Sequence, residues 1–380
     1  MSPKEPLFHY DSSLTPLTDD ISLSEKIQYL HMILAQRYVE INRIAVALYD
    51  EKTDLLKTFL YSGEKSDLQF YDAKLGETTS LLEILHLGKP RVVNDLGIFK
   101  TSKKEHNRVL TALDYAASYT LPMFSKGHFY GFIFFNASER DFFTEETLHY
   151  LDMVGHLLAI TIIHEVTGFK TLQAAINTIR DITQHRDNET GTHLARMSRY
   201  ARLIAQELAP AYHLSDEYIE HLFMFSPLHD IGKIAIPDEI LLKPGKLTDG
   251  EYEVMKSHTQ RGREIIDTML NHFDMNESEH VDMMRNITQY HHEKMDGSGY
   301  MGRCSGEDIP LEARIVAVAD IFDALTSQRP YKTAWDNERA FSALQEMAED
   351  KLDSACVNAL LHNRDKVEAI QKTFKEDIYG

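Results

Sequence analysis

Hydrophobic and polar positions divide the chain into two stretches with different periods. Near the start, Ile44, Val46 and Leu48 recur at every second position, the period of a strand. Asp50-Glu51-Lys52-Thr53 then predicts a turn, and Leu55 to Tyr61 a second strand. Tyr119 to Met123 and Phe129 to Phe135 read as apolar strands joined by the turn residues Ser125-Lys126-Gly127. Phe143-Thr144-Glu145-Glu146 opens a helix expected to run through Ile163. A further helix is expected from Gly168 to about Asp187. In it Leu172, Ile176, Ile179 and Ile182 form a narrow stripe, suited to the same helix of a second chain or to the domain that follows. From Asp187 onward the pattern is helical, and Thr248 with Glu251 three residues on predicts a capping box.

The expected organisation is a leader over 1–20, an α+β domain over 21–167, a linker helix over 168–187 and an all-α domain over 188–380. A chain of 380 residues is too long for one ordinary core, which agrees with two domains. The order helix, hairpin, middle segment, hairpin, closing helix resembles a GAF domain. The best local match is Phe124-x-x-Gly127-x-x-Tyr130-Gly131 ahead of an apolar strand. The resemblance implies a sensory fold with a small ligand; the alternative is a domain used only for dimerisation.

Charge narrows the partners. The formal net charge is −19, which argues against DNA as a partner, because general nucleic-acid binders carry a basic face. An anionic substrate would need metal ions or a few Lys and Arg to overcome this field. The two cysteines, Cys304 and Cys356, form no CxxC, which fits a reducing compartment and excludes a Cys-based zinc site. The polar N-terminus lacks the apolar region of a signal peptide. The longest apolar run, about Leu157 to Ile163, falls short of the roughly 20 residues of a membrane span. A cytoplasmic protein with no membrane partner is expected.

Candidate chemistry gathers in the helical half. His229-Asp230 sits seven and ten residues after Leu222 and Ile219, on or beside the apolar face of that helix, where a carboxylate is costly without a compensating cation. Alone, the pair would more often be a structural hydrogen bond. Glu189 and His193 stand one helical turn apart on a common face, and His258 follows Met255 on an inward stripe. His291-His292 ends a helix that begins near Val281. Asp320 follows Ala313 and Ala317, and Asp323 is one turn further. Each of the five histidines and three carboxylates could alone be a satisfied core residue; their coincidence at inward or helix-end positions points instead to a shared site. Imidazole and carboxylate without thiolate suit iron or manganese first, with zinc or nickel as further choices. Eight ligands exceed one ion, so two or three divalent ions are expected, with Asp230 able to bridge two of them.

The full order also includes Asp296-Gly297-x-Gly299-Tyr300, Asp320-x-x-Asp323-Ala324-Leu325-Thr326-Ser327 and Arg329-Pro330-Tyr331-Lys332. Together these motifs resemble the HD-GYP branch of the HD phosphohydrolases. The resemblance implies that Glu189, His193, His229, Asp230, His258, His291, His292 and Asp320 are metal ligands. It implies that Lys233, Arg329 and Lys332 grip phosphate and that Tyr300 lines the substrate site. Met301 stands where that family carries proline, and Pro227, just before the His-Asp pair, is expected to kink its helix. The implied reaction is metal-assisted, in-line attack of water on a cyclic dinucleotide, c-di-GMP or 3′,3′-cGAMP, giving a linear dinucleotide. Asp230 and Lys233 are its catalytic residues, and a homodimer is the expected assembly. A silent cyclic-dinucleotide receptor and a general HD nucleotidase are the alternatives.

Overall fold

The computed structural model describes residues 17, 21–63, 72–99, 115–182, 191–273, 281–300, 304–328 and 333–375. The chain separates into two compact units, Met1–Val166 and Thr167–Gly380.

In the first unit, helix α1 (Leu23–Arg37) starts at a capping box. The Ser22 hydroxyl accepts from the Glu25 amide, and the Glu25 carboxylate accepts from the Ser22 amide. Strands β1 (Ile41–Asp50), β2 (Leu55–Gly63) and β3 (Asp72–Lys74) follow. Then come α2 (Thr79–Leu87), β4 (Arg91–Val93), β5 (Ala117–Ser125), β6 (His128–Ala137) and α3 (Glu145–Ile182). The six strands form an antiparallel sheet in the order β3-β2-β1-β6-β5-β4. One face packs Ile44, Val46, Leu121, Ile133 and Phe135 against Leu23, Ile27 and Leu34 of α1 and Leu151, Leu158 and Ile162 of α3. The other face packs Leu56 and Phe132 against Leu81 and Ile84 of α2. Both predicted hairpins form. Strands β3 and β4 have three residues each, too few to establish a period in the sequence.

The structure differs from the expected pair of helices after Phe143. A single 38-residue helix, α3, runs through the expected break. Gly168 inside a helix costs about 1 kcal/mol; burial of Val166 and Phe169 on either side offsets this. The side chains of Leu172, Ile176, Ile179 and Ile182 lie outside the described residues.

In the second unit the described residues contain no strand. Its helices are α4 (Gly191–Tyr212), α5 (Asp216–Phe225), α6 (Asp238–Leu241), α7 (Asp249–Lys256) and α8 (His258–Phe273). After them come α9 (Val281–Tyr290), α10 (Leu311–Thr326), α11 (Asn337–Met347), α12 (Ser354–His362) and α13 (Arg364–Thr373). Helix α10 is buried on nearly every side, with Ile315, Val316, Val318, Ala319 and Phe322 all in the core. Such a helix is a core element rather than a surface one. Tyr200 of α4 meets Phe322 edge-on at 5.2 Å, and Phe341 of α11 stacks on Phe322 at 5.0 Å. This packing brings the polar ends of α4 and α10 together. The capping box predicted at Thr248 and Glu251 is present and starts α7.

Candidate metal centre

Three local devices assemble the site. The first is the turn that carries His229 and Asp230. Helix α5 stops at Phe225 and gives way to a tight turn over Ser226–Leu228. His229 is therefore not on the face of that helix, as its spacing from Leu222 predicted. Pro227, without an N–H, fits the first turn of the new segment and ends the α-helical ladder rather than kinking it. The second device is Gly232. A Cβ there would lie 1.8 Å from the His258 carbonyl oxygen and 2.4 Å from the Gly262 amide nitrogen. Only glycine lets the His229-Asp230 turn rest directly on the first turns of α8. The third is the segment after α9, which doubles back so that a Cβ at Gly299 would meet Glu293 Cα at 2.5 Å. Asp296 pins this loop by accepting from Lys351 and from the Ser298 amide, and the Met295 amide donates to the Lys351 carbonyl.

The histidines share a pattern. His229 Nδ1 lies 3.0 Å from the Ser226 carbonyl, His258 Nδ1 2.7 Å from the Met255 carbonyl and His291 Nδ1 2.9 Å from the Ile287 carbonyl. His193 Nδ1 lies 2.8 Å from Asp323 Oδ2. Carbonyl and carboxylate oxygens only accept, so each of these Nδ1 atoms carries the proton. Each Nε2 is left with its lone pair.

Those lone pairs converge. His258 Nε2 and His291 Nε2 lie 3.1 and 3.6 Å from Asp230 Oδ1. His229 Nε2 lies 3.2 Å from Asp230 Oδ2 and 4.0 Å from Asp320 Oδ1. His193 Nε2 is 3.7 Å from the same Asp320 oxygen. Two donor groups result, Asp230 with His258, His291 and His292, and His193 with His229 and Asp320; within each, the ligand atoms lie within 4.8 Å of one another. Asp230 stands between the groups, one oxygen toward each.

Electrostatics fit the same reading. His258 Nε2, His291 Nε2 and Asp230 Oδ1 are buried and make no well-formed hydrogen bond among the described residues. A buried polar atom left so costs about 1–3 kcal/mol, which a cation at this point would offset. Burial pushes the Asp230 carboxyl up, but Lys233 at 2.7 Å and His229 outweigh it and hold Asp230 well below the usual carboxylate range. Burial pushes His291 down, and burial followed by the neighbouring His291 pushes His292 well down. Neutral imidazoles beside an ionised carboxylate could hold a divalent metal ion.

Asp323 and Arg196 have roles that sequence reasoning missed. Asp323 is fully buried and accepts from His193 Nδ1, from Arg196 Nε at 2.6 Å and Nη2 at 2.9 Å, and from Ser327 Oγ at 2.9 Å. It fixes the His193 tautomer, the part a carboxylate plays behind a ligating histidine. Its place one helical turn after Asp320 was legible; its partner, 130 residues earlier, was not. Tyr300 packs on His292 with the rings tilted, at 4.3 Å and 30°. Burial, then Tyr252, raises the Tyr300 phenol above its ordinary range. Glu189, Arg329 and Lys332, together with Met301, lie outside the described residues. Among the described residues, no helix is long and apolar enough to cross a membrane.

Comparison with known proteins accords with this division. Residues 177–356 match the HD domain family and residues 33–163 the GAF domain family. The chain is 47% identical over 187 residues to the cyclic di-GMP phosphodiesterase response regulator RpfG of Xanthomonas campestris pv. campestris, covering 49% of this chain and 47% of that protein. It is 35% identical over 207 residues to the 3′3′-cGAMP-specific phosphodiesterase 2 of Vibrio cholerae, covering 54% of this chain and 38% of that protein. The chain thus spans less than half the length of these relatives. A GAF domain/HD domain protein of Geobacter sulfurreducens aligns in structure at TM-score 0.31 and 19% identity, over 40% of this chain and 96% of that one.

Proposed function

Given a chain that carries a GAF domain followed by an HD domain, we propose that it is a metal-dependent phosphodiesterase of the HD-GYP type. It opens a cyclic dinucleotide, c-di-GMP or 3′,3′-cGAMP, to a linear dinucleotide. The observation that carries this reading is the set of four histidines whose Nδ1 protons are fixed and whose Nε2 lone pairs meet around Asp230 and Asp320.

In this reading His258, His291, His292 and Asp230 would hold one ion and His193, His229 and Asp320 a second, with Asp230 facing both groups. Glu189 is assigned to a third. Iron or manganese suits these ligands best, ahead of zinc or nickel. When bound, the ions supply a lowered pKa for water and a positive field at phosphorus. The chain's own residues do the rest. Lys233, paired with Asp230 at 2.7 Å, is assigned to donate to a non-bridging phosphate oxygen, and Arg329 and Lys332 are assigned the same task by motif alone. Ammonium and guanidinium have no free lone pair, so these side chains bind phosphate and leave the ions alone. Tyr300, packed on His292, walls the substrate beside the reacting phosphate.

The N-terminal domain is assigned a small ligand. The whole is assigned to the cytoplasm as a homodimer paired through the stripe from Leu172 to Ile182. The reading is tested by incubating the purified, metal-loaded protein with c-di-GMP, 3′,3′-cGAMP and c-di-AMP and separating the products. A linear dinucleotide from one of the first two is expected. Binding without turnover would favour the silent receptor, and release of phosphate from mononucleotides alone would favour a general nucleotidase.

A further inference from the structure

Helix α7 is an oddity in a unit built from packed helices. None of its side chains is buried, although its sequence DGEYEVMK contains a tyrosine, a valine and a methionine. It is held at its start by the Thr248–Glu251 capping box, with Lys243 also donating to Glu251 at 2.5 Å, and at its end by running through Ser257 into α8. Hydrophobic burial therefore does not explain Tyr252, whose side chain stays 43% exposed. What Tyr252 does contact is the candidate centre. Its ring meets Tyr300 at 5.9 Å and 79°, and Tyr300 packs at a tilt on His292 at 4.3 Å. Tyr300 also meets His258, the first residue of α8, at 6.0 Å and 86°. An aromatic series thus runs from the imidazoles outward, through Tyr300, to the exposed ring of Tyr252. Lys256, one helical turn on, places Nζ 5.0 Å over that ring.

We propose that Tyr252 is a substrate-binding residue: the corner between the Tyr252 and Tyr300 rings takes one purine base of the cyclic dinucleotide. This rests on the phosphodiesterase reading above and adds to it the residue that holds a base. The two rings meet near a right angle, so a purine that stacks on one abuts the edge or face of the other. The base has a flat π-face of matching size, on which either ring can stack. A monophosphate without a base gains nothing from such a corner, whereas a nucleotide is oriented by it with its phosphate toward His292 and Asp230.

The test compares metal-loaded wild type, Tyr252→Ala and Tyr252→Phe in steady-state hydrolysis of c-di-GMP and 3′,3′-cGAMP. Binding of a cyclic dinucleotide carrying 2-aminopurine, whose fluorescence stacking quenches, is followed in parallel. Alanine at this position is expected to raise KM about ten-fold, the usual consequence of losing one base–aromatic stack. The loss in kcat is smaller, the fluorescence quench disappears, and metal content is unchanged. Phenylalanine restores both KM and the quench, because the ring and not the hydroxyl does the stacking. A Tyr252→Ala protein with wild-type KM and wild-type quench overturns the proposal while leaving the phosphodiesterase reading intact. A wild-type protein that hydrolyses neither dinucleotide overturns that reading, and the assignment of Tyr252 with it.

Discussion

Removing the Asp323 carboxylate tests the support behind His193. The side chain is fully buried and accepts four hydrogen bonds, two of them from Arg196, itself only 5% exposed. In Asp323→Ala the guanidinium loses both of its carboxylate contacts while keeping those to the Phe374 carbonyl and the Ser327 hydroxyl, and its charge stays in the core. Breaking a buried pair from one side costs roughly 3–5 kcal/mol. For a domain of about this size each kcal/mol moves Tm by roughly 2–4 °C, so a fall of about 10 °C is expected. Asp323→Asn keeps the shape and one acceptor and should lose less. Both should weaken metal binding by roughly 10- to 100-fold, because the His193 tautomer is no longer enforced. The pH dependence has a definite sign. Burial raises the Asp323 carboxyl, but His193 and Arg196 outweigh it and lower it. Its stabilising contribution is therefore complete above the ordinary carboxylate value near about 4 and fades as pH falls below it. The gap in urea midpoint between wild type and Asp323→Ala should shrink over that interval. Thermal unfolding and metal titration of both variants decide the matter. Unchanged Tm together with unchanged metal affinity would refute the support role.

Three further outcomes are expected. Gly232→Ala should destabilise the helical unit by about 3 kcal/mol in urea unfolding, since the α8 backbone at His258 and Gly262 leaves no room for a methyl group; a soluble variant of wild-type stability would contradict the close approach. Lys233→Ala and Arg329→Ala should keep their metal and lose rate or substrate affinity, and a parallel collapse of metal content would show that they support the ligands instead. Light scattering on the full chain should give a dimer that Leu172→Glu with Ile179→Glu converts to a monomer, and a strict wild-type monomer at micromolar concentration would remove the stripe's role.

Much of the site could be read from residue order, because its motifs are local. His229-Asp230, His291-His292 and the Asp320 helix each declare themselves within one turn or one loop. The two strong hairpins and the capping boxes are local as well. The features that escaped are those that depend on tertiary contact. Asp323 meets His193 only because α10 and α4 pack through Phe322 and Tyr200. The spacing of His229 from Leu222 fitted a continuing helix, and nothing in the apolar pattern marks the change to a tighter turn, although Pro227 did signal a disturbance. The run of α3 through Gly168 reflects burial of Val166 and Phe169 overriding local propensity. Tyr252 carried no signal, since a tyrosine on an exposed helix becomes informative only when its neighbour is known to be Tyr300.

Asp230 faces both donor groups and makes it possible to test metal and chemistry in one measurement. Bound metal and turnover of c-di-GMP and 3′,3′-cGAMP are determined together for wild type, His229→Ala and Asp230→Asn, with circular dichroism confirming that each variant is folded. A metal-loaded wild type that forms the linear dinucleotide, beside folded variants that have lost metal and all turnover, is the predicted result. Near-normal turnover in either folded variant would contradict the metal-dependent account.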